Sequence, residues 1–374
     1  MNRLAAVIPA AGLSSRMGSF KPLLPLGDRT VVEQVVRLFA AEDVDPVIAV
    51  TGKRSEDVAD TVRRAGGDIV HNPGFEQGMF SSVLAGVESL PDWVDAFFLL
   101  PADMPLVRRK TIRLLIEEYE RNRPLILYPK FLGDRGHPPI VHRDLFPDIL
   151  SHSGEGGLRR VLERHEADAR DFEVADSGTR VDLDHPRDYD LALSLFGRGY
   201  PTPGECKQLW MMAGGTRHVM EHCRAVSLVA KALCEAFNAR CKATPLDAGL
   251  VLGAALTHDI GKGTKRHEEV GAELLDRHGF HAAADIVRVH FDTALAPEDP
   301  IQEKDIVFLA DKLVRCHRPV PLEDRYLEKV KQYVHEPGAK QAILGRLERA
   351  KALMIRFDGE VADSSERLAR EALS

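Results

Sequence analysis

The first 195 residues alternate short apolar runs with longer segments of helical periodicity, and this alternation constrains the fold more than any other feature of the sequence. The apolar runs cover residues 4–9, 46–51, 68–71, 96–101 and 125–129, and the helical segments cover 31–41, 56–65, 80–90 and 110–120. Strands that alternate with helices predict an α/β fold with a mostly parallel, Rossmann-like sheet and helices on both faces. Because such sheets bind ligands at the carboxyl ends of their strands, the residues that follow each strand are the first candidates for a site.

The pattern changes after about residue 196. Residues 197–204 are rich in glycine and proline, which is typical of a linker. Beyond them, helical stripes cover residues 216–237, 246–258, 268–278, 282–290, 304–316 and about 339–356. We therefore predict an α/β domain over residues 1–197, a linker over 198–206 and an all-α domain over 207–374.

Length, charge and cysteine content narrow the class of protein. A chain of 374 residues is long enough to form two domains. Its net charge of -7 argues against an extended nucleic-acid-binding surface. No segment approaches the ~20 apolar residues of a membrane span, and the N-terminus does not resemble a signal peptide. The five cysteines form no CxxC pair. We expect a cytoplasmic protein that binds neither membrane nor nucleic acid.

The loop after the first strand, residues 9–21, contains small residues, two glycines and two basic residues. Its small residues let backbone N–H groups approach an anion closely, while Arg16 and Lys21 supply positive charge. The loop matches neither the GxxxxGK[ST] nor the GxGxxG pattern. Taken alone, it is also compatible with a structural strand–helix turn that carries solvated basic residues.

Carboxylates follow two later segments. Asp103 comes directly after the apolar run 96–101, where a single acidic residue is placed to hold Mg²⁺ over a phosphate loop. Asp182 and Asp184 are candidates for a second carboxylate ligand, and one of them is alternatively a cap of the following helix. An aspartate before a proline is also common in turns that have no metal.

Two further loops are candidates for ligand contacts. The segment after the third strand contains Gln77, Gly78 and Ser82. A glycine-rich loop after the fifth strand contains Arg135 and His137. For each of these residues, ordinary turn chemistry is an equally good explanation on its own.

Taken together, these segments resemble the MobA-like nucleotidyltransferases over about residues 4–195, with five motifs in the expected order. The matches are the AAGxSxRMGxxK loop, the Gln/Gly-containing loop at 77–82, the "DMP" motif at Asp103, the "RGHP" motif at Arg135, and an element at 180–188 that has His185 where threonine is usual. The resemblance implies nucleotide binding by Ala10, Ala11, Gly12, Ser14, Arg16, Lys21, Gln77, Gly78 and Ser82. It also implies catalytic roles for Arg16, Lys21 and Asp103, Mg²⁺ binding by Asp103 with Asp182 or Asp184, and acceptor binding by Arg135 and His137.

The "ADMP" and "RGHP" motifs are similar to those of the branch that uses CTP. That branch transfers a cytidylyl group to a phosphorylated small-molecule acceptor, here molybdopterin-bound molybdenum cofactor, and releases pyrophosphate. A molybdoenzyme or its maturation factor is the implied protein partner. A sugar- or polyol-phosphate nucleotidyltransferase and a non-catalytic nucleotide-sensing regulator are the alternatives.

The second half places metal-binding residue types on apolar helix faces. His222 lies on the stripe of Val226, Asp311 lies on that of Val307, and His258 and Asp259 end a strongly apolar helix. A lone inward histidine is usually a satisfied core residue, but a carboxylate on an apolar stripe costs several kcal/mol unless it is paired or binds metal. A His–Asp hydrogen-bond network without metal is the alternative explanation.

The order H…HD…D, with the sequence HDIGK at residues 258–262, resembles the HD phosphohydrolases over about residues 216–314. The resemblance implies that His222, His258, Asp259 and Asp311 bind a divalent metal (Mn²⁺, Fe, Ni²⁺, Zn²⁺ or Mg²⁺) and that Lys262 assists with phosphate. His267 and His290 are candidates for a second metal. We expect His218, His278, His281 and His317 at the surface.

Overall fold

The structure, a computed structural model, describes residues 3–12, 20–52, 55–240, 245–293, 296, 299–333, 335–336 and 338–374. The chain forms two compact units, Met1–Gly197 and Arg198–Ser374. Two of the predicted nucleotide-binding residues, Ser14 and Arg16, lie outside the described residues.

The first unit is built on one mixed sheet. Its main strands are β1 (Leu4–Pro9), β2 (Val47–Thr51), β3 (Asp68–His71), β4 (Ala96–Leu99), β5 (Ile126–Phe131), β6 (Ile140–His142) and β7 (Ala169–Glu173). The spatial order is β7-β5-β6-β4-β1-β2-β3, and the short strand Asp134–Arg135 pairs with β5. Among the main strands only β6 is antiparallel to its neighbours. The predicted mostly parallel α/β sheet is therefore confirmed.

Helices cover both faces of this sheet. They are α1 (Val31–Ala40), α2 (Ser55–Ala65), α3 (Met79–Glu88), α4 (Arg109–Asn122), α5 (Phe146–Leu150), α6 (Gly157–Leu162) and α7 (Pro186–Leu195). Alternate residues of β1 enter two separate buried clusters, one shared with α1, α2 and α4 and the other with α3, α5 and α6. The helix α3 crosses β1 closely at Gly86, where a Cβ atom would lie 2.4 Å from Cγ1 of Val7.

The sequence pattern missed β6 and β7. The strand β6 has three residues, too few to show a period, and β7 is a partly exposed edge strand with the charged sequence ARDFE. Edge strands commonly carry charged side chains, which limit pairing with other chains. Such strands therefore do not stand out as apolar runs in the sequence.

The second unit is helical. Its helices are α8 (Pro203–Ala213), α9 (Arg217–Arg240), α10 (Ala248–Thr257), α11 (His267–Arg277), α12 (His281–Val289), α13 (Glu303–Lys312), α14 (Leu322–Gln332), α15 (Ala339–Val361) and α16 (Ser365–Ala372). A two-residue antiparallel hairpin, Val314–Arg315 with Arg318–Pro319, follows α13. Within the described residues, no helix is both long enough and apolar enough to cross a lipid bilayer.

The helix α8 begins inside the predicted linker 198–206. The Thr202 side chain accepts a hydrogen bond from the Glu205 N–H at 3.3 Å, and the Glu205 carboxylate accepts one from the Thr202 N–H at 2.8 Å. This reciprocal pair caps a helix whose first residue is Pro203, and Cys206 is buried. Residues 203–206 are therefore the first turn of a helix of the second unit, which corrects the predicted linker.

Candidate functional sites

A cavity of about 310 Å³ lies at the carboxyl ends of β1 and β4 in the first unit. Its lining residues are Pro9, Ala10, Ala11, Gly12, Lys21, Pro22, Phe75, Glu76, Gly78, Met79, Ser82, Pro101, Ala102 and Asp103. Backbone hydrogen bonds from Ala10 N to Val50 O at 2.8 Å and from Ala102 N to Pro9 O at 3.0 Å join the strand ends. Residues 10–12 and Asp103, 91 positions or more apart in the sequence, thus line one cavity.

Two carboxylates lie within ion-pair distance of the Lys21 ammonium group, and a third, that of Asp182, acts on Asp103. Lys21 Nζ is 2.9 Å from Asp184 Oδ1 and 3.6 Å from Asp103 Oδ2. The backbone N–H of Leu183 donates to the Asp103 carbonyl at 2.9 Å, which holds residues 182–184 beside Asp103. Burial raises the pKa of the Asp103 carboxyl, Lys21 opposes that rise, and the charges of Asp182 and Asp184 add to it.

This cluster fits a divalent cation. Among the described residues, the carboxylates of Asp103, Asp182 and Asp184 lie near one ammonium group, that of Lys21, and burial raises the pKa of Asp103. Mg²⁺ in proteins is commonly held by one or two carboxylates together with substrate phosphates. The alternative role of Asp182 or Asp184 as a helix cap is not what the structure has: the Asp188 carboxylate accepts from the His185 N–H at the start of α7, at 2.7 Å.

The loop before α3 forms another wall of this cavity. Gly78, at the start of α3, has a φ of 98°, a conformation that favours glycine. Ser82 is buried, and its hydroxyl accepts from Asn72 Nδ2 at 3.1 Å. Gln77 is not among the lining residues, contrary to the predicted contact, whereas Phe75 and Glu76 are. The predicted glutamine contact came from the loop's resemblance, which does not fix which side chain faces inward.

A second cavity, of about 430 Å³, contains the predicted acceptor residues. Arg135 and His137 line it with Tyr128, Phe80 and other residues of α3, β5 and α6, and Met79 lines both cavities. Burial lowers the pKa of His137, while the nearby Asp103 and Asp182 carboxylates oppose that shift. His137 is therefore electrostatically coupled to the carboxylates of the first cavity.

Arg135 already has two acidic partners. Its guanidinium donates to both carboxylate oxygens of Glu166, at 2.7 and 2.8 Å, and to Asp171 at 2.5 Å, and it lies 4.3 Å from the ring centroid of Tyr128. Hydrogen bonds to Glu166 and Asp171 raise the pKa of Arg135. An acceptor phosphate at this position would compete with both carboxylates, a constraint that the motif alone does not reveal.

In the second unit, the predicted metal-binding residues converge. His222 Nε2 is 3.1 Å and His258 Nε2 is 3.7 Å from Asp311 Oδ1, and His258 Nε2 is 3.8 Å from Asp259 Oδ2. These residues come from α9, the end of α10 and α13. His222, His258 and Asp259 place one ligand atom each within 4.8 Å of one another.

The hydrogen bonds of the three buried histidines favour metal binding through Nε2. The Nδ1 atoms of His222, His258 and His290 lie 2.9, 2.8 and 2.6 Å from the carbonyl oxygens of Cys316, Ala255 and Val287. A neutral ring that donates from Nδ1 leaves a lone pair on Nε2. His258 Nε2 is buried with no hydrogen-bond partner, and burial lowers the pKa of this histidine to about 4. A divalent cation would satisfy this orphaned atom, so the residues present fit a metal.

Asp259 belongs to a second group as well. Its Oδ1 atom is 3.3 Å from His267 Nε2 and 3.7 Å from His290 Nε2, and these three residues also meet the spacing of a metal site. Burial opposes ionisation of Asp259, but the neighbouring His267, His290, His258 and Lys262 side chains hold the pKa of its carboxyl well below the usual range. Lys262 Nζ donates to Asp259 Oδ2 at 3.0 Å. The geometry thus offers two adjacent sites that share one carboxylate.

His278 was wrongly predicted at the surface: it is 5% exposed at the C-cap of α11, whereas His218, His281 and His317 are exposed. Burial, with the charge of Arg277 adding to it, lowers the pKa of His278 from its ordinary value of 6.5 to about 4. His278 is the last residue of the predicted stripe 268–278, and the structure places it just beyond the end of α11, at the C-cap.

This buried histidine predicts a pH dependence of stability. The unfolded chain binds a proton at His278 between pH 6.5 and 4 that the folded chain does not, so stability falls as the pH decreases through this window. Between pH 7 and 5 the loss is about 2 kcal/mol. We expect His278→Gln to lose that much less than the wild type over this range, in urea unfolding with chelator present. The exposed-site variant His281→Gln should follow the wild type, and an unchanged loss in His278→Gln would contradict the assignment.

Comparisons with known proteins match both units. A model of the MobA-like NTP transferase domain matches residues 6–169, and a model of the HD domain matches residues 219–316. Molybdenum cofactor cytidylyltransferase of Escherichia coli (strain K12) is 28% identical over 193 residues, 51% of this chain and 96% of the relative. Purine catabolism protein PucB of Bacillus subtilis (strain 168) is 27% identical over 202 residues, 50% of this chain and 95% of the relative.

Among solved structures, that of Rv0371c from Mycobacterium tuberculosis H37Rv is 25% identical, with a TM-score of 0.46, and the match covers 52% of this chain and 98% of that one. Both family resemblances inferred from the motifs are confirmed by the family models.

Proposed function

We propose that this chain, an enzyme that combines a MobA-like NTP transferase domain with an HD domain, transfers the cytidylyl group of CTP to a phosphorylated acceptor and also hydrolyses a phosphate compound. The observation that carries the first activity is the joint lining of one cavity by residues 10–12, Lys21 and Asp103. Backbone amides, one ammonium group and a carboxylate cluster are what a nucleotide triphosphate with Mg²⁺ requires.

In the transfer reaction, an acceptor phosphate oxygen attacks the α-phosphorus of CTP, the bond to the β-phosphate oxygen breaks, and pyrophosphate leaves. Asp103, with Asp182 or Asp184, would hold Mg²⁺, which when bound neutralises charge on the phosphate oxygens. Lys21 stabilises the negative charge that develops during transfer, together with Arg16. The loop of residues 10–12 orients the triphosphate through its backbone.

The second cavity supports a planar, phosphorylated acceptor. Tyr128 and Phe80 offer aromatic surface, and Met79 lines this cavity and the nucleotide cavity alike. His137 lines the second cavity, and the Asp103 and Asp182 carboxylates act on the charge of its ring. Molybdopterin-bound molybdenum cofactor fits this chemistry, and the E. coli relative is named for the same cofactor.

Nucleotide and acceptor choice can be measured directly. We expect the full-length enzyme with Mg²⁺ to release pyrophosphate fastest from CTP and with a molybdopterin acceptor, because the motifs resemble those of the CTP-using branch. The assay compares CTP, GTP, ATP and UTP against molybdopterin and sugar-phosphate acceptors. Faster turnover of GTP, or of a sugar or polyol phosphate, would replace this proposal by the corresponding transferase. Nucleotide binding without turnover on any acceptor would favour a regulator.

For the second activity, we propose hydrolysis at the histidine–aspartate cluster of the HD domain. His222, His258, Asp259 and Asp311 would hold one divalent metal, and Asp259, His267 and His290 a second. A divalent metal in such a site lowers the pKa of water toward neutrality and so supplies a nucleophile. Lys262, which donates to Asp259, would contact the phosphate.

A further inference from the structure

The cavity at the histidine–aspartate cluster has a strongly cationic lining. It measures about 320 Å³, and six basic side chains line it beside two carboxylates, Asp259 and Asp311. The basic residues are Lys262, Lys312, Arg315, Arg325, Lys329 and Arg346. A metal at the cluster would add further positive charge. The ligand must therefore carry several negative charges in a small volume.

These cations come from separate parts of the fold. Arg325 and Lys329 lie one turn apart on α14, and Arg346 lies on α15. Arg325 NH2 is 3.3 Å and Lys312 Nζ is 2.6 Å from the Asp311 carboxylate. Arg325 and Lys312 thus place positive charge at Asp311, whereas Lys262 places it at Asp259. Arg346 Nε also lies 3.7 Å from Asp292 Oδ2, so both arginines have a carboxylate partner, and Lys329 is the member of this group that has none among the described residues.

Among the six basic residues that line this cavity, Lys329 bears most directly on the kind of ligand that binds there. Among the described residues, no carboxylate oxygen lies within ion-pair distance of its ammonium group. Partial desolvation of that group, with the charges of Lys312 and Arg325, lowers the pKa of Lys329 to about 8. Lys329 lies next to other cations although part of its side chain is exposed to solvent, and a bound anion would offset their mutual repulsion. Its position is thus suited to an anion that extends beyond the metal cluster.

The rest of the lining offers little to a nucleobase. Val219 and Phe291 are the apolar side chains among the lining residues, and the guanidinium of Arg346 lies 5.9 Å from the Phe291 ring centroid. Ligand pockets for whole cofactors are usually lined predominantly by apolar and aromatic side chains, and volumes near 300 Å³ are at their lower limit. This cavity is therefore suited to recognise phosphate groups rather than a base.

We propose that the substrate of this site is a phosphoanhydride, a chain of two or more phosphoryl groups, with one phosphoryl group at the metal cluster and the next between Arg325, Lys329 and Arg346. This inference rests on the proposed hydrolase function for its chemical step. In that step a water oxygen bonds to one phosphorus, and the bridging P–O bond breaks with its electron pair on the departing phosphate. Water's two protons pass to the two phosphate products. Inorganic pyrophosphate and the phosphate chain of a nucleotide share this chemistry.

Binding can be tested separately from hydrolysis with imidodiphosphate, whose P–N–P bridge resists cleavage. In calorimetric titrations of the full-length chain with Mn²⁺, we expect imidodiphosphate to bind at least about tenfold more tightly than orthophosphate. Lys329→Gln should weaken imidodiphosphate binding by about tenfold, because a hydrogen bond to a charged group is lost. Lys331→Gln, an exposed residue of the same helix that does not line the cavity, is the matched control. Binding in the first unit contributes equally to both variants.

Phosphate release identifies the source of the anhydride. Phosphate release from pyrophosphate but not from CTP indicates that inorganic pyrophosphate is the substrate. Phosphate release from CTP indicates a nucleotide substrate. Equal affinity for imidodiphosphate and orthophosphate, equal affinity in the two lysine variants, or hydrolysis of monoesters alone would each overturn the inference. Selective binding without phosphate release from any substrate would instead refute the proposed hydrolase function and leave a polyphosphate-binding site.

Discussion

Asp259→Ala should lose both bound metal and phosphate hydrolysis, with a fall in rate on the order of a hundredfold or more. Outer-sphere partners of a metal ligand alone are commonly worth ~10–100-fold in affinity or activity, and Asp259 lies in the inner group of both candidate sites. The variant also removes the carboxylate that His267, His290 and Lys262 face. Elemental analysis of protein purified without chelator, together with a phosphate-release assay, measures both effects.

The matched control for that variant is Asp285→Ala. Asp285 lies on α12 with its side chain 78% exposed, where it pairs with Arg288 rather than with the cluster. It should retain wild-type metal content and activity, and circular dichroism should show both variants folded. Metal content in Asp259→Ala equal to that of the control would support the alternative, a His–Asp hydrogen-bond network that binds no metal.

Asp103→Asn should lower nucleotidyl transfer by ~10²–10³ while the first unit stays folded, the magnitude typical for loss of one transition-state contact. A neutral amide holds Mg²⁺ poorly, and it also removes one of the carboxylates that surround Lys21. The unit should tolerate the change because burial already opposes the ionised form of Asp103. Pyrophosphate release with CTP and saturating Mg²⁺ is the measurement.

Asp60→Asn provides the comparison for this second variant. Its side chain is 80% exposed on α2, beside Arg63, so an isosteric loss of charge there should leave turnover unchanged. Turnover of Asp103→Asn close to that of Asp60→Asn would remove Asp103 from the magnesium site. Since Lys21 is shared with Asp184, the same result would direct attention to Asp182 and Asp184 as the metal carboxylates.

The sequence predicted those elements whose side chains show a clear period. The strands near residues 4–9 and 47–51 and the helices of the second unit around His222 and Asp311 lie where apolar periodicity places them. The helices α14 and α16 were missed because their polar sequences present few buried residues. The helix α8 was recognisable from the capping pair Thr202 and Glu205, but the neighbouring glycines and prolines dominated that segment.

The sequence predicted which residues form the candidate sites, but it did not predict which other side chains surround them. Motif order pointed to Lys21, Asp103 and the histidine–aspartate cluster, and these sets converge in the structure. Motif order did not indicate that Lys329 and Arg346 line the cavity at the histidine–aspartate cluster, since lysines and arginines on polar helices are usually solvated. Nor did it indicate that Glu166 and Asp171 engage Arg135. Partners from distant parts of the chain become visible only once the tertiary structure brings them together.

Gly86 determines how closely α3 approaches β1, and α3 forms one wall of the cavity at the carboxyl ends of β1 and β4. It lies two turns along α3 from Met79 and one turn from Ser82, both of which line that cavity. Because a helix moves nearly as a rigid rod, any side chain that lifts α3 from Val7 also shifts these residues outward. The width of this cavity thus depends on the single hydrogen atom that glycine has in place of a side chain, in a buried contact that does not line the cavity.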